Sequence, residues 1–302
     1  MQGREPNART AARIAPFGQS MPRNGQNKAQ SPPATPKVRR QPRQRTLPAL
    51  KDGLPRPVLA RVESLPAGSW TDEHSHPWAQ LSYAVEGMLQ VHTATGQFMA
   101  PPERAIWVPA NLPHEVLTAG PAEMRSLYIR AEALAGSPLA QAQGCRVLDI
   151  SILARELILA VCALPSDYDE HGAPGRLVAV LLDQLAQLPT ASLDLPLPTD
   201  ARLLRLCEAL QADPADRRTL AEWGREIGLT ERSMVRLFQQ QTGLSVGAWR
   251  RRLRLLAALG PLEAGAKVSS VAVGCGYASA SAFISAFCAE FGVTPTQMFT
   301  QG

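Results

Sequence analysis

No Cys-x-x-Cys pair occurs in this chain of 302 residues, and its five cysteines, Cys145, Cys162, Cys207, Cys275 and Cys288, are scattered. That pattern fits buried thiols in a reducing cytoplasm better than disulfides or zinc fingers. No apolar run approaches the roughly 18 residues that a membrane span needs. The start lacks an apolar h-region, so export is not expected. Histidine is scarce, with five in the chain, so any cluster of them is informative.

Basic charge is short in the middle of the chain. Residues 51–198 carry a net −7, whereas residues 1–50 carry +9 and residues 199–302 carry +3. Attraction to phosphate should therefore come from the two ends. The length suggests about two domains. Residues 1–52 are rich in Pro, Gln, Asn and Arg, and they hold too few apolar side chains to offset ordering entropy. They read as a disordered basic tail. Its stretch from Ser31-Pro32-Pro33 to Arg45 could lie as an arm in a minor groove. The plainer alternatives are a solvated tail or a translation start at Met21. Proline density argues against an amphipathic transit peptide there.

The last third holds two similar blocks in tandem, Leu220 to Phe238 and Val268 to Phe291. Each reads as a short helix, a turn containing Gly, and a longer helix. In the first block Leu220, Trp223 and Ile227 fall at helical spacing. Gly228 ends that helix, and Thr230 can cap the next one. Met234, Leu237, Phe238 and Gln241 mark its inner face. The outer face carries Arg232, Val235, Arg236, Gln239 and Gln240. Arg reads guanine and Gln reads adenine in the major groove, both in bidentate fashion. Between the blocks, Val246 to Leu259 forms a helix with Trp249, Leu253 and Leu256 on one face and four arginines on the others. Such a helix spans on the order of 20 Å, enough to hold two recognition helices about one duplex turn apart.

Segment 199–302 resembles the DNA-binding domain of AraC-family transcription regulators. The residues that carry the resemblance include Leu229-Thr230-Glu231-Arg232, Arg236-Leu237-Phe238, Thr242-Gly243-Leu244-Ser245, Trp249-Arg250, Gly276-Tyr277, Phe283, Phe287 and Thr294-Pro295. The resemblance and the outer faces together give the expected DNA contacts: Thr230, Arg232, Ser233, Val235, Arg236, Gln239 and Gln240 from the first unit, and Ser279, Ala280, Ser281 and Ser285 from the second. Three departures are visible. Gly260-Pro261 should end or kink the connecting helix. Lys267 leaves the following helix without a side-chain cap. The second recognition helix exposes Ala280, Ser281, Ala282 and Ser285, so it can touch phosphates and thymine methyls but read few base edges. Thr199 is the expected cap of the domain's first helix, Asp200 to Ala212.

Residues 53–142 read as strands. Leu81 to Val85 and Met88 to His92 alternate across Glu86-Gly87, a hairpin signal. Arg104 to Val108 and Met124 to Arg130 follow. The simplest fold is a jelly-roll β-barrel. Within it, His74-Ser75-His76, Gln80 and Gly87 follow Gly68 at a fixed spacing, and Pro109 to His114 comes later. His74, His76 and Gln80 share parity, so they point to one side of an extended chain. This pattern resembles the two cupin motifs. The resemblance implies a site of His74, His76, Gln80 and His114 for a divalent metal (zinc, nickel, iron or manganese), or a pocket for a polar effector lined also by Tyr83 and Trp107. Gln80 stands where metal-binding cupins hold Glu, and Asn111 where they usually hold Gly.

From Gln143 to about residue 190 the pattern turns helical. Leu148, Ile152, Leu153, Leu157, Ala160 and Val161 form one apolar face, and Leu177, Leu181, Leu185 and Leu188 form another. Two such helices resemble the dimerisation helices of AraC-type sensors, or they pack only on their own barrel. Residues 191–198, with Pro196 and Pro198, read as a linker.

The expectation is an α+β chain: a cupin-like sensor barrel with flanking helices, then an all-α domain with two helix-turn-helix motifs. It should be a cytoplasmic regulator, not an enzyme, with double-stranded DNA, a small-molecule effector and a second copy of itself as partners, and no membrane. The rivals are a cupin dioxygenase or isomerase fused to a DNA-binding domain, and an architectural DNA-binding protein with a vestigial barrel.

Overall fold

Leu81–Val85 and Met88–His92 do become strands, but they do not pair with each other. The computed structural model describes residues 44–45 and 53–300. In it β2 (Ala79–Glu86) belongs to one sheet and β3 (Leu89–Thr93) to another. Glu86-Gly87 is the corner between the sheets, not a hairpin turn. Gly87 sits at φ +82, where a Cβ would fall 2.3 Å from the Pro121 carbonyl oxygen. A side chain there would clash with backbone, so the corner requires glycine.

The six-stranded sheet runs β1 (Val58–Leu65), β7 (Ala122–Ile129), β2, β5 (Arg104–Val108), β8 (Arg146–Asp149) and β9 (Thr190–Ala191). The four-stranded sheet runs β10 (Asp194–Pro196), β4 (Gly96–Ala100), β3 and β6 (Glu115–Thr118). All named pairings are antiparallel. The two sheets make a jelly-roll-like sandwich with open edges, not a closed barrel.

Two expected elements change identity. Leu148 lies in β8, not on a helix; the helices are α1 (Ile152–Cys162) and α2 (Ala173–Leu185). The stretch read as a linker supplies β9 and β10, one strand to each sheet, with Leu193, Leu195 and Leu197 buried. Its leucines alternate with polar residues and prolines. Pro196 is tolerated because β10 is an edge strand that needs no amide on its far side. Of the basic tail, only Gln44 and Arg45 are described. They are not a free arm: Gln44 bridges Trp70, and Arg45 is buried against Glu63. The remaining tail residues lie outside the described residues.

The C-terminal part is all helical: α3 (Ala201–Ala212), α4 (Leu220–Ile227), α5 (Glu231–Thr242), α6 (Val246–Glu263), α7 (Val268–Gly274), α8 (Ala280–Phe291) and α9 (Pro295–Thr300). Asp200, not Thr199, caps α3, accepting from the Arg202 amide at 2.9 Å. Pro261 does not stop α6, which continues to Glu263. It gives up the bond to the carbonyl four residues back, but so near the end of the helix only Leu262 and Glu263 have to follow it. Lys267 precedes α7 with no side-chain cap.

The two halves share one buried core. Leu193, Leu195 and Leu197 pack in the same cluster as Leu203, Leu253 and Leu256. The Trp249 indole donates to the Pro196 carbonyl at 2.7 Å, so α6 is tied to the edge strand of the sensor. A second cluster holds α1 and α2 on the outer face of the six-stranded sheet.

Candidate functional site

Register decides which β2 side chains face the interior. Gln80 pairs with Val108 on one side and Tyr128 on the other, so these three share a face. Leu81 and Tyr83, paired with Trp107 and Ala105, share the opposite face and pack under α1 and α2. Tyr83 sits beside Arg155 of α1, and burial pushes its phenol pKa up. Tyr83 and Trp107, expected to line the pocket, are therefore core residues on the far side of the sheet. The sequence reading failed on them because β2 is buried on both faces, which hides the in–out alternation.

The other four come together. His74 and His114 exchange backbone hydrogen bonds of 3.1 and 2.9 Å, which brings their rings to a centroid distance of 4.3 Å. His76 stands 5.2 Å from His114 and 5.9 Å from His74. The ligand nitrogens of the three lie within 4.8 Å of one another. The His76 carbonyl accepts from the Asn111 amide at 2.8 Å. Asn111 has φ 61, a left-handed conformation that asparagine tolerates. That accounts for an Asn at a position where glycine would also serve.

Each imidazole is oriented by a backbone carbonyl. Nδ1 lies 2.8 Å from the Asp72 oxygen in His74, 2.7 Å from Trp78 in His76 and 2.9 Å from Leu112 in His114. A carbonyl only accepts, so Nδ1 carries the proton in all three and Nε2 keeps its lone pair in the neutral ring. The His114 Nε2 is buried with no hydrogen-bond partner among the described residues. Burial lowers the His114 pKa to about 4, and burial also lowers that of His74. Both are thus neutral near pH 7, the form that binds a metal or accepts a hydrogen bond.

Gln80 answers to His76. Its amide lies 2.9 Å from His76 Nε2 and 2.8 Å from the Ser82 hydroxyl. The structure sets Gln80 Oε1 against His76 Nε2 and has Gln80 Nε2 donate to Ser82; a His76 ring protonated at Nδ1 needs the amide turned over, so that its nitrogen donates to Nε2 and its oxygen accepts from Ser82. Trp78 stacks on His76 at 5.2 Å and Tyr128 meets its edge at 5.8 Å. Trp78, Ser82 and Tyr128 were missed by the sequence reading. Trp78 and Ser82 share parity with His76 and Gln80, so the same rule reaches them. Tyr128 is placed only by cross-strand register.

In the C-terminal part, the recognition helices α5 and α8 are built on one template. Thr230 and Ser279 cap them, accepting from Ser233 and Ala282 amides at 3.2 and 3.1 Å. Met234 and Phe238 are buried in α5, as are Phe283 and Phe287 at the same offsets in α8. Left-handed Gly243 and Gly292 end them. The template puts Arg232 opposite Ser281, Val235 opposite Ile284 and Arg236 opposite Ser285, and all six are exposed. Gln240 is exposed too. The Gln239 amide donates to the Gly243 carbonyl at 2.8 Å, and Ser233 is engaged with Thr230 at 3.0 Å. Ala280 is half-buried. Ile284, absent from the expected contacts, offers an apolar surface of the kind that meets a thymine methyl. It is found by aligning the two helices on their caps.

Comparison with known proteins agrees with this division. Residues 57–182 match the AraC-like ligand binding domain, and residues 223–301 match a helix-turn-helix domain. The HTH-type transcriptional regulator NimR of Escherichia coli is 32% identical over 222 residues, 74% of this chain and 80% of that protein. The HTH-type transcriptional activator RhaR of Yersinia pseudotuberculosis is 33% identical over 100 residues, 33% of this chain and 34% of its own length. Among solved structures, fatty-acid-bound ToxT of Vibrio cholerae covers 80% of this chain and 94% of its own at 10% identity, with a TM-score of 0.34.

Proposed function

Since the chain belongs to the AraC-type family of helix-turn-helix transcription regulators, we propose that its histidine pocket holds the effector and that α5 is its chief reader of DNA sequence. The protein is a DNA-binding regulator with a ligand-binding domain, and not an enzyme. The observation that carries the pocket reading is the trio His74, His76 and His114, each with Nδ1 held by a carbonyl and with one ligand nitrogen of each within 4.8 Å of the others.

This donor set fits a divalent ion. Three neutral imidazoles suit zinc, nickel, iron or manganese, and carbonyl-oriented rings are the usual outer shell of such sites. His74, His76 and His114 would hold the ion, and it would supply a fixed positive charge to an anionic or polar effector. Gln80 would have to release His76 or share the site as a neutral oxygen ligand. Trp78 and Tyr128 wall the pocket against water. Without metal, the same nitrogens accept hydrogen bonds from a polar organic effector.

Elemental analysis of full-length protein purified without chelator tests the metal form. Stoichiometric metal, or a rise in melting temperature on adding zinc, nickel, iron or manganese that is lost in His74→Ala/His114→Ala, is the expected result. No metal and no shift would leave a pocket for an organic effector alone.

Two features support a homodimer. Ile152 and Leu153 of α1 are 82% and 54% exposed, and Val180 of α2 is 46% exposed. They give an apolar face outside the sensor's own core, suited to a second copy. No helix among the described residues is long and apolar enough to cross a membrane; a cytoplasmic location, with the DNA, is the one the function requires.

A further inference from the structure

α6 lies across the outer face of the four-stranded sheet. Near its start the Trp249 indole bonds Pro196 in β10. Near its end a Cβ on Gly260 would meet Met88 Cε at 3.8 Å, just before β3. A Cβ on Gly120, just after β6, would meet a Glu263 carboxyl oxygen at 3.5 Å. Side chains of a strand alternate between its faces, so Gln90 and His92 turn the same way as Met88, toward α6. Gln97 pairs with His92 and shares that face.

The two ends of this contact differ in kind. At β10 it is apolar: Trp249, Leu253 and Leu256 share a buried cluster with Leu193, Leu195 and Leu197. The chain also crosses there, since β10 ends at Pro196 and α3 begins at Ala201. Toward β3 and β6 the buried groups are polar and unanswered. Both amide atoms of Gln90, Oε1 of Gln97, Nε2 of His92 and Oε1 of Glu263 are buried with no hydrogen-bond partner among the described residues. Burial pushes the Glu263 carboxyl up to about 7 and the His92 imidazole down to about 4, because a charge on either would be stranded.

The sensor's other outer face is built differently. Under α1 and α2 the six-stranded sheet turns out Leu81, Ala105, Leu127, Ile129 and Leu148, with no amide, imidazole or carboxyl among them. A buried amide without a partner costs free energy that water returns on exposure. Aliphatic side chains at positions 90 and 97 would hold α6 more tightly. Glutamines there suit a surface that is wet in a second state, as surfaces between domains that move usually are. The same strands also border the histidine pocket: His114 and Glu115 are consecutive, and Glu115 pairs with His92 on the face toward α6.

We propose that α6 and the four-stranded sheet part at this polar end while the β10 end holds, so that the helical half swings on β10 as a hinge without either half unfolding. Each half keeps buried residues of its own behind the joint, Leu89, Val91 and Ile106 in the sensor and Trp223, Phe238 and Phe283 among the helices. α6 connects the two helix-turn-helix units, so the swing re-aims both recognition helices relative to the sensor at once. Parting of the joint needs neither effector nor DNA, and it is measured on the full chain alone.

Met88 is fully buried, so a thiol in its place reports parting. In the full chain carrying Met88→Cys, thiol labelling at pH 8 is followed by peptide mass spectrometry. The native thiols of Cys145 in the sensor and Cys275 in the helical half, both buried, mark unfolding of each half. The introduced thiol should label at least about tenfold faster than either, at a rate that low urea leaves unchanged. Adding Gln90→Met, which keeps the side chain's length and removes both orphan groups, should slow it about tenfold. Adding Glu263→Gln should slow it as well, because no carboxylate then has to be buried on closing. A thiol placed at the hinge by Leu195→Cys should label no faster than the native pair. An introduced thiol at position 88 that labels only as fast as Cys145 and Cys275, with their urea dependence, overturns the proposal. Equal, fast labelling at positions 88 and 195 overturns the hinge, since the halves would then separate completely. In the chain without either introduced thiol, Gln90→Met should raise the melting temperature; an unchanged or lower one shows that the amide is not a cost of the closed joint and overturns the proposal too.

Discussion

Replacing Arg236 by Ala is expected to weaken binding to a selected duplex by about 1–3 kcal/mol and to relax base preference at one or two adjacent positions. Arg236 is exposed on the outer face of α5, one turn after Arg232. A guanidinium that grips guanine O6 and N7 discriminates against the wrong base by that amount. The buried Met234 and Phe238 and the Thr230 cap fix the helix, so truncation at Arg236 removes the contact without unfolding its frame. A series of duplexes mutated base by base separates the outcomes. Loss confined to one or two positions supports a base contact. Uniform loss with unchanged preference would make Arg236 a phosphate contact and remove it from readout.

The largest effect on stability is expected at Trp249. It is fully buried, meets Phe238 edge-on at 5.9 Å and bonds the Pro196 carbonyl at 2.7 Å. Truncating such a residue to Ala costs about 3–5 kcal/mol through lost burial and the cavity left behind. The same indole joins α6 to β10, so the loss should also loosen the DNA-binding half from the sensor. Trp249→Phe separates these contributions. It keeps most of the apolar area and leaves the Pro196 carbonyl unpaired, at a cost of about 1 kcal/mol for the bond. Urea unfolding of the full chain followed by far-UV circular dichroism measures both. A Trp249→Ala variant within 1 kcal/mol of the wild type would mean that the joint core contributes little to holding α6.

What was legible in the sequence followed from local rules. Gly228 and Thr230 marked the turn and cap of the first unit because their roles depend on neighbours within one turn. Phe283 and Phe287 marked the inner face of α8 for the same reason. What was not legible depended on distant partners. Glu86-Gly87 has the chemistry of a hairpin, yet β3 pairs with β4 and β6 while β2 pairs with β5 and β7. Periodicity does not choose partners. Leu193, Leu195 and Leu197 sit among prolines, so they read as linker until β4 offers an edge. Gly260-Pro261 predicts an end or a kink in the helix, but α6 continues to Glu263, with Leu259 and Leu262 buried on either side of the proline. At the pocket, the resemblance to the two cupin motifs pointed to His74, His76, Gln80 and His114, and strand parity agreed for the first three. Trp107 and Tyr83 were misplaced because a strand buried on both faces gives no sign of which face holds the ligand.

On the proposed division of labour, α5 specifies sequence and α8 mainly anchors. At matched positions α5 presents Arg232 and Arg236, and α8 presents Ser281 and Ser285. A serine can take a phosphate or a single base-edge bond, worth about 1 kcal/mol at most. Selection of bound duplexes from a randomised pool by the full chain, followed by sequencing, measures the difference directly. One strongly specified half-site is expected and, about one helical turn away, a second half that is weakly specified and tolerant of A·T pairs. Equal information in both halves would contradict it.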